Sequence, residues 1–163
     1  MQMAPPTDGG LEPEEYGQEG PVRWEAPEDW RPERRRNDMR YAQYAVGSGE
    51  ATAEMVVFHF GEGGGGVEEN LQRWSGQFSD GPEPVRDTRE IAGMTVHLVD
   101  ASGTYDADMA MIGGAGPIED QRMIGAIAET ASGRFFFRLL GDRQAVGAQE
   151  EAFEKFLGSL HHP

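Results

Sequence analysis

Apolar and polar positions alternate in several short stretches of the chain, and this is the pattern of half-buried β-strands. Residues 39–46 alternate first, and a turn over residues 47–50 joins them to a second apolar run over residues 53–60. Two further pairs of strands are predicted around short turns, at residues 88–91 with 94–105 and at residues 122–130 with 134–140. Neighbouring strands joined by short turns pair as hairpins, so the pattern predicts an antiparallel sheet.

Two segments have the spacing of α-helices instead. Val67, Leu71, Trp74 and Phe78 recur at i, i+4, i+7 and i+11, which is one stripe of a helix. Residues 143–160 predict a C-terminal helix, whose core face holds Val146, Phe153, Phe156, Leu157 and Leu160. The order of elements therefore predicts an α+β fold, a central antiparallel sheet of hairpins covered by helices.

The start of the chain differs in composition from the rest. Residues 1–21 contain five acids, no base and several prolines and glycines, with few apolar residues. Such a segment cannot bury enough surface to offset its chain entropy, so we expect a disordered acidic tail that is not a signal peptide. Residues 22–163 have the length of a single α+β domain with one core. The sequence contains no run of about 18 apolar residues, and therefore no transmembrane segment is predicted.

Charge and cysteine content exclude some classes of function. The chain has 29 acidic and 14 basic residues, a net charge of -15, and no cysteine. An acidic surface repels phosphate backbones and anionic lipids, which argues against nucleic-acid binding and general membrane binding. Disulfides and thiolate metal sites are excluded. Lys155 is the single lysine, and this composition fits a saline habitat or a GC-rich genome, two readings that stay open.

A glycine block precedes the first helix. Gly61, Gly63 and Gly66 match the dinucleotide fingerprint G-x-G-x-x-G, but residues 79–84 are turn-forming and cannot be the buried parallel strand that this fold needs next. The match is therefore interpreted as accidental and the block as a flexible turn. Consecutive amides at a helix N-terminus also form anion-binding nests, so Gly63, Gly64, Gly65 and Gly66 are a candidate anion site.

The sequence assigns no catalytic residue, metal ligand or cofactor. His59 and His97 lie on predicted strands and could meet across a sheet to bind a metal. Their spacing matches no metal-binding signature, so structural roles are favoured. No nucleophile elbow occurs in the sequence, and close pairs of carboxylates are expected by chance in so acidic a chain.

Several motifs together resemble a known group. They are the glycine block, the run Asn70-x-x-Arg73-Trp74-x-Gly76-Gln77-Phe78 and the stretch over residues 135–141. This combination resembles a group of uncharacterised bacterial proteins, many of them exported or lipid-anchored. The order of elements is also similar to the PsbP-like α/β/α sandwich, which serves an extrinsic photosystem II subunit and a nuclear-import factor that binds the Ran GTPase. The resemblance implies an extracytoplasmic protein whose signal segment is absent from this chain, while a cytoplasmic location stays open.

The function expected from these observations is that of a non-catalytic binding or assembly domain with an unidentified protein partner. Its contact surface is expected at residues 106–121, interpreted as a long loop, together with the glycine loop. The alternative is a protein that binds a small anion or a metal, or an enzyme, using residues 61–66 and His59. A third reading is a structural protein whose acidity serves salt tolerance.

Overall fold

A computed structural model describes residues 11–48, 51–60, 65–106 and 117–163. Within these residues the strands are β1 Arg31–Pro32, β2 Arg40–Ser48, β3 Ala51–His59, β4 Phe78–Ser79, β5 Val85–Ile91, β6 Met94–Asp106, β7 Pro117–Thr130 and β8 Gly133–Asp142. The helices are α1 Val67–Gly76, α2 Arg143–Gly147 and α3 Glu150–Gly158, and a 3₁₀ turn spans Pro13–Glu15. None of these helices has the length and apolar character needed to cross a bilayer.

The described strands form one antiparallel sheet. Its order is β1-β2-β3-β8-β7-β6-β4, and β5 also pairs with β6. The hairpins β2–β3, β5–β6 and β7–β8 confirm the strand pairs that the alternation predicted. Strands β8 and β7 lie at the centre of the sheet and are buried on both faces, because helices cover the sheet from both sides.

Each face of the sheet has its own core. On one face, Phe135 and Phe137 of β8 pack with α3 and with the N-terminal segment, whose Trp24 and Trp30 are buried. On the opposite face, Phe136 packs under α1. The second core consists of Leu71, Trp74, Val99, Met123, Ile127 and Phe136. Successive residues of β8 thus enter different cores, as the pleat of a strand requires. The expected α+β fold, an antiparallel sheet covered by helices, is confirmed.

The second half of the chain differs in two places from its prediction. The helix expected at residues 143–160 is divided into α2 and α3, and α2 starts where the Asp142 carboxylate accepts hydrogen bonds from the amides of Gln144 and Ala145. Strand β7 begins at Pro117 and pairs Ile118 with Tyr105, so residues 117–121 of the expected loop belong to the sheet. Residues 107–116 lie outside the described part. Phe78, expected on the helix, belongs to β4 and is partly buried.

Residues 11–21 pack against the sheet, although their composition predicted disorder. Tyr16 is buried, and its hydroxyl donates to the Glu33 carbonyl oxygen over 2.7 Å. The Leu11 amide donates to the Tyr41 carbonyl oxygen at 3.2 Å. A single buried aromatic ring supplies enough apolar contact to hold a segment whose average composition is polar. Just after this segment, Arg23 forms a single antiparallel bridge with His161.

A glycine in the sheet sets how closely α1 approaches it. Gly125 lies on β7, and a Cβ added there would stand 2.5 Å from Cζ3 of Trp74. The indole ring of Trp74 occupies this space and is 3% exposed. The absence of a side chain at position 125 therefore fixes the position of Trp74 and, through it, of α1.

We expect Gly125→Ala to lower the free energy of unfolding by about 1–3 kcal/mol, because the new methyl group displaces the Trp74 ring from a packed core. Chemical denaturation measures this. Gly158→Ala is the control, since a Cβ there meets nothing within 4 Å; it should leave stability unchanged or raise it by up to ~1 kcal/mol. Equal stabilities of the two variants would contradict the close contact between Trp74 and Gly125.

Candidate functional site

Helix α1 covers only part of its face of the sheet. Beside it, over β2, β3 and β8, lies a cavity of about 290 Å³. Its volume is near the lower end of small-molecule binding sites, which run from roughly 300 to 1,000 Å³. We refer to it as the arginine pocket, because Arg40, Arg73 and Arg138 all line it.

Aromatic rings form most of the walls. Phe58 and Phe60 stack with their centroids 6.0 Å apart, and Phe136 lies 5.8 Å from Phe60 and 6.2 Å from Trp74. Two apolar residues remain exposed at the mouth, Met39 at 64% and Phe60 at 37%. Exposed apolar side chains at the mouth of an aromatic cavity are typical of a binding site for an apolar group.

Arg138 lies at the floor of the pocket. Its position in the middle of β8 places it opposite Val56 of β3 and Gly125 of β7, on the same face as Phe136. Protein atoms surround the side chain on nearly all sides, and the part that stays accessible faces the pocket. This burial lowers the pKa of the guanidinium below its ordinary value, because desolvation disfavours the charged form.

The Arg138 guanidinium lacks a compensating partner within the described residues. Its Nε is buried and forms no hydrogen bond, and no acid of the described chain forms an ion pair with it. Its guanidinium carbon lies 5.6 Å from the centroid of the Phe58 ring, a cation–π contact. Burial of a cation without an anion is unfavourable, so the arrangement has a free-energy cost that a bound anion would offset.

Arg40 is paired, in contrast. It is 7% exposed and its Nη1 lies 2.9 Å from Oε2 of Glu54 and 3.2 Å from Oε1 of Gln43. The same Glu54 oxygen also forms an ion pair with Nη2 of Arg36 at 2.9 Å. Arg73 is exposed on α1 and forms no ion pair with any described acid. The pocket therefore holds excess positive charge in a chain whose net charge is -15.

A second polar atom in the pocket is without a partner. Gln77, the residue after α1, is 6% exposed and its side-chain Oε1 forms no hydrogen bond. Its backbone is fixed, because its amide donates to the Trp74 carbonyl oxygen at 3.2 Å and its own carbonyl oxygen accepts from the Asp106 amide at 2.9 Å. Buried polar groups in proteins are nearly always hydrogen-bonded, so Gln77 Oε1 and Arg138 Nε are two exceptions that belong to residues of the same pocket.

The glycine site predicted from the sequence is described only in part. Gly63 and Gly64 lie outside the described residues. The Gly66 amide donates to Oε1 of Glu69 at 2.9 Å, and the Gly65 carbonyl oxygen accepts from Arg134 at 3.3 Å. Glu69 thus occupies the Gly66 amide, and an anion nest at residues 63–66 stays a prediction.

The two histidines lie far apart. His59 is on β3 and His97 on β6, with β8 and β7 between them, which corresponds to roughly 14 Å across the sheet. The His59 ring stacks on Phe135 at 4.0 Å, and its Nε2 donates to the Ser132 carbonyl oxygen over 2.8 Å. Nε2 of His97 lies 2.7 Å from Glu129. The histidines do not form the metal pair considered from the sequence. No cluster of three or more metal-ligating side chains occurs among the described residues.

No protein-family model matches the chain, and no curated protein matches it by sequence. Its fold is similar to PA94 of Pseudomonas aeruginosa, a protein of unknown function, with a TM-score of 0.50 and 16% identity over 71% of this chain and 78% of that one. It is also similar to LpqN of Mycobacterium tuberculosis, involved in cell envelope biogenesis, with a TM-score of 0.52 and 12% identity over 87% and 83% of the two chains. At these identities the likeness establishes a shared fold.

We expect Arg138→Met to leave the free energy of unfolding unchanged or to raise it by roughly 1–4 kcal/mol, because methionine fills similar space without a buried charge. Arg40→Met is the matched contrast within the same pocket. It should lower stability by about 1–3 kcal/mol, since it removes the hydrogen bonds to Glu54 and Gln43. Thermal and chemical unfolding without ligand measure both. Equal destabilisation by the two substitutions would show that Arg138 is a compensated structural residue.

Proposed function

We propose that this chain is a non-catalytic binding domain of an exported bacterial protein and that it holds a small ligand in the arginine pocket. One observation carries the proposal: the Arg138 guanidinium lies without a partner at the floor of a cavity walled by aromatic rings. The proposal keeps the binding function expected from the sequence. It differs from both expected sites, the contact surface at residues 106–121 with the glycine loop and the small-ligand site at residues 61–66 with His59, because the ligand is proposed to bind on the face of the sheet beside α1.

The lining of the pocket favours binding over chemistry. Its described residues are arginines, aromatics, Met39 and the amides Asn37, Asn70 and Gln77. These residue types are not the histidines and carboxylates that most often carry out general acid–base catalysis. Among the described lining residues the single hydroxyl is that of Tyr105, and none of them is a histidine or carboxylate that could activate it. Such a lining recognises charge and shape and leaves a ligand unchanged.

An envelope location and a PsbP-like sandwich belong to the same proposal. The helices on both faces of one antiparallel sheet fit the sandwich expected from the order of elements. The fold is shared with LpqN, which is involved in cell envelope biogenesis. Together with the resemblance to exported and lipid-anchored proteins, this likeness supports a function outside the cytoplasm. Because a non-catalytic binding domain does not change its ligand, the proposal includes a protein partner that delivers the ligand to this domain or receives it.

Titration with N-phenyl-1-naphthylamine, an uncharged probe that fluoresces in apolar surroundings, tests the binding function. We expect saturable binding at one site. Phe60→Ala should weaken it about three- to tenfold, because the ring forms a partly exposed wall of the cavity.

Val85→Ala is the control for this titration. Val85 is an exposed apolar residue on β5 that does not line the arginine pocket, so its substitution should leave binding of the probe unchanged. Absence of saturable binding, or equal binding in both variants, would contradict the proposed function.

A further inference from the structure

The charges in the arginine pocket indicate which group a ligand presents to it. We propose that the ligand is a small monocarboxylate with an apolar body, and that the Arg138 guanidinium binds its carboxylate. This inference rests on the proposed binding function and adds the chemical class of the ligand and the residue that recognises it.

The number of unmatched charges argues for a single negative charge on the ligand. Arg40 is buried and paired with Glu54, and Arg36, which shares this carboxylate, is exposed enough for water to screen its charge. Arg73 is exposed at the rim, where water screens its charge. Among the described residues of the pocket, Arg138 is then the one buried cation that lacks an anion. A dianion such as a phosphate monoester would need a second buried cation to replace its hydration.

The shape of the guanidinium favours a carboxylate among monoanions. The planar fork of arginine donates two parallel N–H bonds to the two oxygens of a carboxylate. The Nε of Arg138 is closed off by protein, whereas its two Nη atoms are not among the buried unpaired atoms and have no acceptor within the described protein, so they remain available for both of these bonds. The ring of Phe58 contacts the guanidinium at 5.6 Å and holds its orientation.

The walls define the rest of the ligand. A volume of about 290 Å³ corresponds to roughly ten non-hydrogen atoms, if each takes about the 30 Å³ of a water molecule. Phe60, Trp74 and Phe136 present aromatic carbon to this space, and Met39 extends the apolar surface outward. A medium-chain acyl acid or an arylalkyl acid fits both the size and the lining.

Calorimetric titration with octanoate and with 1-octanol isolates the contribution of the acid group, because both have the same carbon chain. We expect octanoate to bind wild-type protein on the order of ten- to a hundredfold more tightly than octanol, as one charge-assisted bidentate interaction provides. Arg138→Met should abolish this preference and leave the affinity for octanol within about threefold. Inorganic phosphate, which has charge but no apolar body, should bind at least tenfold more weakly than octanoate.

Arg143→Met is the control variant. Arg143 is exposed, and its Nε pairs with Asp120 at 2.6 Å outside the arginine pocket. Its substitution should change neither affinity, which excludes a general effect of net charge.

The outcomes separate the two levels of the proposal. Equal binding of octanoate and octanol to the wild type would overturn the carboxylate inference and leave the apolar binding pocket intact. Loss of octanoate binding in both arginine variants would also overturn it, since recognition would then follow net charge. Absence of binding by octanoate, octanol and the neutral fluorescent probe would overturn the proposed function itself. If Arg138→Met fails to fold, the comparison of octanoate with octanol binding to the wild-type protein still decides whether the pocket prefers a carboxylate.

Discussion

The alternation of side chains along β8 is the constraint on which the rest of the structure depends. This strand lies between β3 and β7 with a core on each face, so every residue of its central part must be buried on one side or the other. Phe135 and Phe137 enter the core under α3, and Phe136 enters the core under α1. Because the period of a strand is two, Arg138 is then directed to the face of α1. No alternative register would move this arginine to solvent without also exposing a phenylalanine.

The arginine pocket arises from the way α1 packs on that face. The helix is ten residues long, too short to cover the sheet from β6 to β2. The Trp74 ring rests on Gly125 of β7 and fixes the helix over one half of the sheet. No described helix covers the half over β2 and β3, and Arg138 lies at the boundary. The position of α1 on the sheet therefore explains both the close packing around Gly125 and the cavity beside it.

The sequence predicted the features that depend on local pattern. Alternation located β2, β3, β6 and β8 to within a few residues, and the helical stripe located α1, because periodicity reports directly which positions are buried. Residues 117–121 carry no alternation; they are a strand because β6 is long enough to pair with them. Residues 11–21 are held by long-range contacts of Tyr16 and Leu11, which average composition does not reveal.

The site was missed for the same reason. An arginine after three phenylalanines on a predicted strand was a visible signal, and alternation assigns it to the face of Phe136. Whether a helix covers that point of the sheet is decided by the contact of Trp74 with a glycine about fifty positions away in the chain. No local period encodes this contact. The glycine block and the histidines can be recognised from residue type alone, and the functional hypotheses drawn from the sequence were therefore based on them.

The central claim is that Arg138 is a buried cation without an anionic partner in the protein and that it binds the carboxylate of a ligand. NMR of the arginine side-chain Nε–H groups tests this claim most directly. The Arg138 signal is assigned by its absence from the spectrum of Arg138→Met. If the account is correct, this signal shifts saturably when octanoate is added, with the same affinity as calorimetry gives, while the Arg143 signal stays in place. An Arg138 signal that does not respond to octanoate, or that moves together with those of the exposed arginines, would contradict the account.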